Sequence, residues 1–279
     1  MLQMEHKKTS VAGIILTVLS VLLAVIFLSP VIWAVFVSLQ REGKPIQSVA
    51  DWFTPPYTLM NYPALIIGSD VTRWLVNSLL VAVIVTVLTV VVSAMAAYAL
   101  SKVRFKGRGL LMAYFLLGLM VPGEATVVPL FITANGLNLI DTYGGLILPF
   151  VAASMNLVIM VTFFKSIPDS LLEAARIDGA GELVIFGRIL MPLSKAVLST
   201  ICIFSFIGSW NNYLWPMLCA MDSSKYTLPV GIPTFAGTYT IDYVKPMTAN
   251  MIASLPAVLI YLLFEKQIVE GITMSGVKG

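Results

Sequence analysis

The chain has 279 residues, 58% of them hydrophobic and only 11% charged, against about 45–50% apolar and about 25% charged in an ordinary soluble domain. So few charges cannot solvate the surface of a globule this long, which excludes a water-soluble domain and leaves a chain that faces lipid or itself. The net charge of +3, from 17 Lys and Arg against 14 Asp and Glu with no long basic run among aromatics, argues against nucleic acid as a partner.

Residues 1–10 form a polar tail that holds the single histidine, His6. A stretch of about 20 mostly apolar residues is needed to cross a bilayer, and six follow in chain order. The first, 11–39, is too long for the core of a signal peptide, which is about 7–15 residues. A long polar segment, 40–73, carries the turn pair Pro55-Pro56 and leads to the second span, 74–101. The basic turn 102–108 precedes the third span, 109–131, which is interrupted by Pro122, Gly123 and Glu124. The fourth span covers 143–164, the loop 165–195 follows it, and the fifth covers 196–220. The segment 221–247, rich in Gly, Pro, Tyr and Thr, separates it from the sixth, 248–264, and a tail of 265–279 ends the chain. The predicted fold is therefore an all-α membrane protein with six transmembrane helices.

Positive residues accumulate on the cytoplasmic side of short loops. One side holds twelve of the 17: Lys7, Lys8, Lys102, Arg104, Lys106, Arg108, Lys165, Arg176, Arg188, Lys195, Lys266 and Lys278. The other holds Arg41, Lys44, Arg73, Lys225 and Lys245. This asymmetry predicts that both termini are cytoplasmic. Cys202 and Cys219 lie in one apolar stretch without CxxC spacing, so they read as buried thiols rather than a disulfide framework or a metal cage. With one histidine in the polar tail, neither a His-based zinc site nor a membrane-embedded Ser/His pair is expected.

The loop 165–195 is the most informative segment. Pro168 stops the fourth span, and Ser170-Leu171-Leu172-Glu173 has the S-x-x-E spacing of a capping box, which predicts a helix starting there. Leu172, Ala175, Gly179, Leu183, Phe186 and Leu190 recur every three or four positions as an apolar stripe, with Glu173, Asp178 and Glu182 mostly off it. Gly179 and Gly181 weaken a continuous helix, so two short helices joined by a turn are expected. Composition alone leaves two readings open: a surface helix in the lipid headgroups, or a docking site for a cytosolic partner.

Glu173-Ala174-Ala175, Gly179, Ile189 and Pro192 resemble the EAA motif of ABC importer permeases, E-A-A-x3-G-x9-I-x-L-P, with the spacing kept throughout. Met191 stands where that motif has Leu, a volume-conserving change. The resemblance implies a coupling helix seated in a cleft of an ATPase subunit, with Glu173, Ala174, Ala175, Asp178 and Gly179 at the contact. Gly208-Ser209-Trp210-Asn211-Asn212-Tyr213-Leu214-Trp215-Pro216 and Asp141-Thr142-Tyr143 are similar to stretches of carbohydrate-importer permeases. The tail from Glu270 to Gly279 resembles that of the second permease subunit in maltose-type systems, which implies that Gly276, Val277, Lys278 and Gly279 reach the ATPase subunits. Together these matches cover about 72–279, and the first seventy residues match only in layout.

The chain has no G-x4-G-K-[ST] loop, since Lys8-Thr9 and Lys165-Ser166 lack the preceding glycines, so it is not itself the ATPase. The resemblance implies two ATP-binding subunits that hold ATP and Mg, a second homologous permease, and an extracytoplasmic solute-binding protein. It also implies a place in the cytoplasmic membrane of a bacterium or archaeon. No catalytic residue, metal or cofactor is expected in this chain. The segment 221–247 suits either a passive linker or a contact with the binding protein.

Four polar residues are candidates for the substrate path. Glu124 is an acid within a span, where charge costs about 2.5–3.5 kcal/mol on insertion scales, so it faces protein or water. It lies either beside a cavity at the broken Pro122-Gly123 backbone or at the outer interface. Asn156, Asn211 and Asn212 either bind neighbouring helices or, with Trp210, Tyr213 and Trp215 close by, a sugar. The reading is a permease that imports a sugar or oligosaccharide by ATP-driven alternating access. Alternatives are a permease for another solute such as a polyamine, or a membrane scaffold. An intramembrane hydrolase is disfavoured because G-x-S-x-G is absent and His6 lies outside the spans.

Overall fold

The computed structural model describes residues 11–44, 48–236 and 242–276, with side chains for those between 13 and 264. The N-terminal tail 1–10 and Val277, Lys278 and Gly279 of the expected ATPase-contacting tail lie outside the described residues. Regular structure among the described residues is helical, with one isolated bridge between Gln40 and Tyr57. In chain order the helices are α1 (Val11–Ser38), α2 (Asn61–Gly68), α3 (Val71–Lys102), α4 (Arg108–Gly118), α5 (Val127–Gly136), α6 (Tyr143–Ile147) and α7 (Ser154–Ser166). They continue with α8 (Asp169–Ile177), α9 (Glu182–Val184), α10 (Met191–Leu193), α11 (Lys195–Trp210), α12 (Leu214–Cys219), α13 (Leu228–Gly231) and α14 (Val244–Gly276), whose last residue is the Gly276 of the tail.

Three single helices are long and apolar enough to span a membrane, over Gly13–Ser38, Val71–Lys102 and Val244–Phe264. Three bent pairs bring the candidates to six by length and composition: Arg108–Gly118 with Gly123–Gly136 at 100°, Tyr143–Phe150 with Ser154–Ser166 at 41°, and Glu182–Leu193 with Lys195–Trp210 at 80°, the Glu182–Leu193 half belonging to the 165–195 loop and not to the span.

Each interruption has a local cause. Pro30 leaves the Ile26 carbonyl without its helical donor, yet α1 continues, because the Ser29 hydroxyl donates to that oxygen at 2.8 Å. Pro122 opens the 3-10 turn Gly123–Thr126 at the sharpest bend. Pro149 lies in the 3-10 turn that follows α6, and Thr89 Oγ1 on α3 donates to the Phe150 carbonyl at 3.2 Å. The fifth stretch departs from a single helix over 196–220: α11 stops at Trp210 and α12 starts afresh at Leu214. Pro216 has no N–H to give the Asn212 carbonyl four residues back, which disfavours one continuous helix; in the first turn of α12 the missing donor costs nothing.

Two compact units are present, Met1–Ser69 with Phe235–Ile252, and Asp70–Thr234 with Ala253–Gly279. In the first unit, side chains from Ile14 to Ile32 on α1 are exposed. The far end of α1 is held instead: Asn61 Nδ2 donates to the Ser38 and Gln40 carbonyls at 2.8 and 2.7 Å, and Thr248 Oγ1 reaches the Ser38 carbonyl at 3.2 Å. Trp33, Trp52 and Tyr243 form an edge-on aromatic cluster with centroids 5.3–6.3 Å apart.

In the second unit α3 is the central strut, packed along α7 and α11. Its 32 residues extend about 48 Å at ~1.5 Å per residue, longer than the ~30 Å hydrocarbon core. Trp74, Asn77, Ser78, Val81, Val85, Thr89, Ser93, Ala97 and Ser101 lie on its buried side at three- and four-residue spacing. The small ones among them let neighbouring backbones come close. One core gathers about Val81 and Val85, with Leu146, Ile147, Trp215 and Cys219. A second gathers about Ala94, Ala97, Tyr98 and Leu100, with Met160, Phe164, Ile201 and four residues of the 165–195 loop, Ile167, Leu172, Ile185 and Leu190.

Candidate functional site

The 165–195 loop folds as two short helical arms. The first arm, α8, starts at Asp169 with Pro168 as its N-cap and no capping side chain, so Ser170 stands inside the helix and no capping box forms. The reason is a competing anchor: Lys102 Nζ donates to the Ile167 carbonyl and to Asp169 Oδ1, both at 2.6 Å, and the N-cap falls at Pro168, two residues before Ser170. The Lys102 side chain is only 3% exposed, whereas Asp169 is 73% exposed. That hydrogen bond holds the Asp169 carboxyl below the usual carboxylate range.

The turn between the arms is a Schellman motif. The Gly179 N–H donates to the Arg176 carbonyl at 3.0 Å and the Ala180 N–H to the Ala175 carbonyl at 2.9 Å, with Gly179 left-handed at φ 82°. A Cβ built on Gly179 has nothing within 4 Å, so within this chain the glycine is required by its backbone angle and not by crowding. Arg176 Nε donates to Glu182 Oε1 at 3.0 Å across the turn, and Tyr98 at the end of α3 donates its hydroxyl to Glu182 Oε2. These two donors, the guanidinium first, hold the Glu182 carboxyl below its ordinary range.

The second arm runs from α9 through a π-helical stretch, Ile185–Leu190, into α10 and stops at Ser194. Pro192 removes the donor owed to the Arg188 carbonyl, and Ser194 donates both its N–H and its hydroxyl to the Leu190 carbonyl, at 3.0 and 2.7 Å. There the chain turns by 80° into α11.

The expected apolar stripe holds in part. Leu172 and Leu190 are buried, and Ala175 and Phe186 pack on the same core, but Leu183 is 84% exposed and Gly179 is on the surface. The left-handed turn resets the helical phase, so Ile185 takes the buried place in the second arm. Of the motif residues, Glu173, Ala174, Asp178, Gly179 and Pro192 are exposed, while Ala175 and Ile189 are half-buried. The arms therefore present acid and small residues outward together with exposed Ile177 and Leu183, 86% and 84% exposed, above an apolar underside of Leu172, Ile185 and Leu190.

The other polar candidates are not gathered in one place by any described contact. Glu124 is exposed at the 100° bend. Asn156 is buried and donates to Ser205 Oγ at 3.0 Å, tying α7 to α11. Asn211 is exposed and Asn212 half-buried at the turn between α11 and α12.

The opposite end of α3 holds a folded cap made by 219–231. Asn77 Nδ2 donates to the Ser224 and Tyr226 carbonyls at 2.8 and 2.9 Å, and Asn77 Oδ1 accepts from the Tyr143 hydroxyl at 2.8 Å. Trp74 Nε1 donates to the Ser223 carbonyl at 3.0 Å, and the Leu228 N–H to Ser78 Oγ at 2.7 Å. Asp141, left-handed at φ 60°, accepts from the Met221 and Asp222 N–H groups, each at 3.0 Å, and from Lys225 Nζ at 2.8 Å. Those bonds, Lys225 foremost, hold its carboxyl below the usual range. Thr142 caps α6 by accepting from the Gly145 N–H at 3.0 Å. Asp141-Thr142-Tyr143 is thus a clasp between the start of the fourth span and the segment after the fifth.

Sequence reasoning missed Tyr98 and Lys102 at one end of α3 and Trp74 and Asn77 at the other. The available signal was polar or amphipathic side chains at four- and three-residue spacing at the limits of an apolar run.

The comparisons with known proteins agree with this architecture. Residues 89–272 match the family model of the binding-protein-dependent transport system inner membrane component. The chain is 34% identical over 273 residues to the arabinooligosaccharides transport system permease protein AraQ of Bacillus subtilis, covering 97% of each. It is 36% identical over 278 residues to the trehalose/maltose transport system permease protein MalG of Thermococcus litoralis, covering 95% of this chain and 97% of that one. Among solved structures, a chain of a bacterial ABC transporter involved in the import of the acidic polysaccharide alginate superposes with a TM-score of 0.83 at 22% identity, over 95% of this chain and 99% of that one, a likeness of fold. With the family model matched over most of α3 to α14 and relatives matched almost end to end, the chain belongs to the family of binding-protein-dependent transport system inner membrane components.

Proposed function

We propose that this chain is the permease subunit of an ABC importer that moves a sugar or oligosaccharide, delivered by a solute-binding protein, into the cytoplasm by ATP-driven alternating access. The observation that carries the sugar assignment is full-length similarity to permeases named for arabinooligosaccharides and for trehalose and maltose. The chain contributes no chemistry of its own. ATP and Mg are held by two partner ATP-binding subunits, and a second homologous permease completes the pathway. Both termini and the 165–195 loop are cytoplasmic in this reading, supported by the twelve Lys and Arg on that side.

Glu173, Ala174, Ala175, Asp178 and Gly179 meet the ATPase, while Ile189 and Pro192 shape the arm that leads into α11. Gly276, Val277, Lys278 and Gly279 extend toward the ATP-binding subunits. Small outward residues flanked by exposed Ile177 and Leu183, on arms anchored beneath by Leu172, Ile185 and Leu190, suit a rigid body that enters a partly apolar groove and moves with it. Glu124, Asn211 and Asn212 keep polar groups available to a passing solute, whereas the Asn156 amide is already used between α7 and α11.

The test is purification in mild detergent through an N-terminal tag, followed by reconstitution with ATP enclosed and labelled malto- and arabino-oligosaccharides outside with the binding protein. Recovery of an ATPase and a second six-span subunit, and uptake that needs ATP, is the expected result. Folded material that purifies alone, with no ATP-dependent uptake, refutes the reading.

A further inference from the structure

Tyr98 and Lys102 stand one helical turn apart at the end of α3, and each holds the head of a different arm of the 165–195 loop. Lys102 binds the start of α8 through the Ile167 carbonyl and Asp169. Tyr98 binds Glu182, the first residue of α9, and its ring lies 5.6 Å from that of Phe186, tilted by 50°. Arg176, at the end of α8, grips the same Glu182 carboxylate from the other side. The loop is thereby clamped at its beginning and at its turn to one face of one long helix.

We infer that Tyr98 and Lys102 are positioning residues for transport: they make the 165–195 loop and α3 move as one body, so that displacement of the loop by an ATPase reaches the α3 strut instead of being absorbed by tilting of the loop. The inference rests on the permease reading above. Apolar burial in the core of Ala94, Ala97 and Leu100 holds the arms without fixing their direction, because it is non-directional. Two polar clamps placed apart remove the sliding and rocking motions that burial leaves. The side chains suit the task. Lys102 is buried to its tip and delivers its charge only at the helix start. The Tyr98 hydroxyl can be removed as Phe without touching the ring contact with Phe186.

The experiment uses the assembled complex in proteoliposomes and measures solute moved per ATP hydrolysed for wild type, Tyr98→Phe, Glu182→Gln, the double variant, and Lys102→Met. The expected result is normal assembly and retained ATP hydrolysis with the transport-to-hydrolysis ratio lowered about fivefold or more in each single variant. The double variant Tyr98→Phe with Glu182→Gln should be no worse than the poorer single one, since both weaken the Tyr98–Glu182 contact and only Glu182→Gln also loses the Arg176 ion pair. An unchanged ratio in Tyr98→Phe and Lys102→Met overturns the inference, as does loss of assembly in Tyr98→Phe, which makes the hydroxyl a folding contact. A wild-type complex that shows no ATP-dependent uptake refutes the permease reading itself, a different outcome from coupled wild type with coupled variants.

Discussion

Gly179 separates two reasons for a glycine in the 165–195 loop. Its φ of 82° lies in the left-handed region, and a Cβ there meets nothing within 4 Å. Holding a non-glycine residue left-handed costs roughly 1–2 kcal/mol, somewhat less for Asn, whose short polar side chain bonds locally, and more for β-branched residues. At about 1.4 kcal/mol per tenfold, that lowers the population of the Schellman turn by about 5–30-fold relative to competing turns. The bonds at stake are those from Gly179 to Arg176 and from Ala180 to Ala175, which set the angle between the two arms. The backbone account therefore orders ATP-driven uptake as Gly179 above Asn, Asn above Ala, and Ala above Val, with helical content and assembly of the spans unchanged. Gly179→Asn should stay within about twofold of wild type, and Gly179→Val should lose about tenfold or more. Crowding against a partner's groove predicts a different order, by size, with Ala best tolerated. Uptake and ATP hydrolysis on the four reconstituted proteins decide it: an Asn variant that is worse than Ala refutes the backbone account.

Three further outcomes follow from the same contacts. A Cβ on Gly231 would lie 2.1 Å from Trp74 Cε3, so Gly231→Ala should displace the indole and cost about 1–3 kcal/mol, read as a lower unfolding temperature of the solubilised protein; an unchanged one contradicts the packing. Asn156→Ala removes a buried amide bonded to Ser205 and should lower thermal stability by about 1–2 kcal/mol without raising the KM for uptake; the reverse pattern would move Asn156 into the solute path. The Asp141 carboxyl is held below its ordinary range by Lys225 and two N–H groups, so it contributes stability at all pH above the carboxylate range and loses it as pH falls through its lowered value. Tryptophan emission, with Trp74 bonded to Ser223 in that cap, should therefore be flat from neutrality to about pH 5 and change below about pH 4; Asp141→Asn should weaken the clasp at neutral pH and shrink that acid step to the share left by Asp222, whose carboxyl is also lowered, by its bonds with Ser224.

Much of the helical order was legible because apolar runs and prolines speak locally. The interruption at Pro122-Gly123 is written in the residues themselves, and the structure bends by 100° there. The two arms of the loop were legible from Gly179 and Gly181 for the same reason. The end of α11 at Trp210 was not, since the apolar run continues to Ala220 and only Pro216, four residues past Asn212, signals the break. The start of α8 was misread for a different cause: Ser170 and Glu173 satisfy a local rule, but Lys102, 67 positions from Asp169, outbids it. Tyr98, Lys102, Trp74 and Asn77 are unremarkable in sequence because their roles exist only once two distant segments meet them. A pattern that is periodic along one helix cannot announce a partner on another.

Those four residues, with Ser78, make α3 more than a span. At one end Trp74, Asn77 and Ser78 hold the cap at 223–228, and at the other Tyr98 and Lys102 hold the two arms of the 165–195 loop. Between them the helix has no proline and no described break over 32 residues. A kinked helix absorbs displacement at its kink, as the bent pairs at Pro122 and Pro149 can; an unbroken one of about 48 Å bends only gently and passes displacement along its length. Any motion imposed on the arms must then reach the cap, unless the Tyr98 and Lys102 clamps yield first. The two ends of the strut are thereby coupled through rigid geometry. For a family that works beside a binding protein, this is a direct route by which events at one membrane face can be felt at the other.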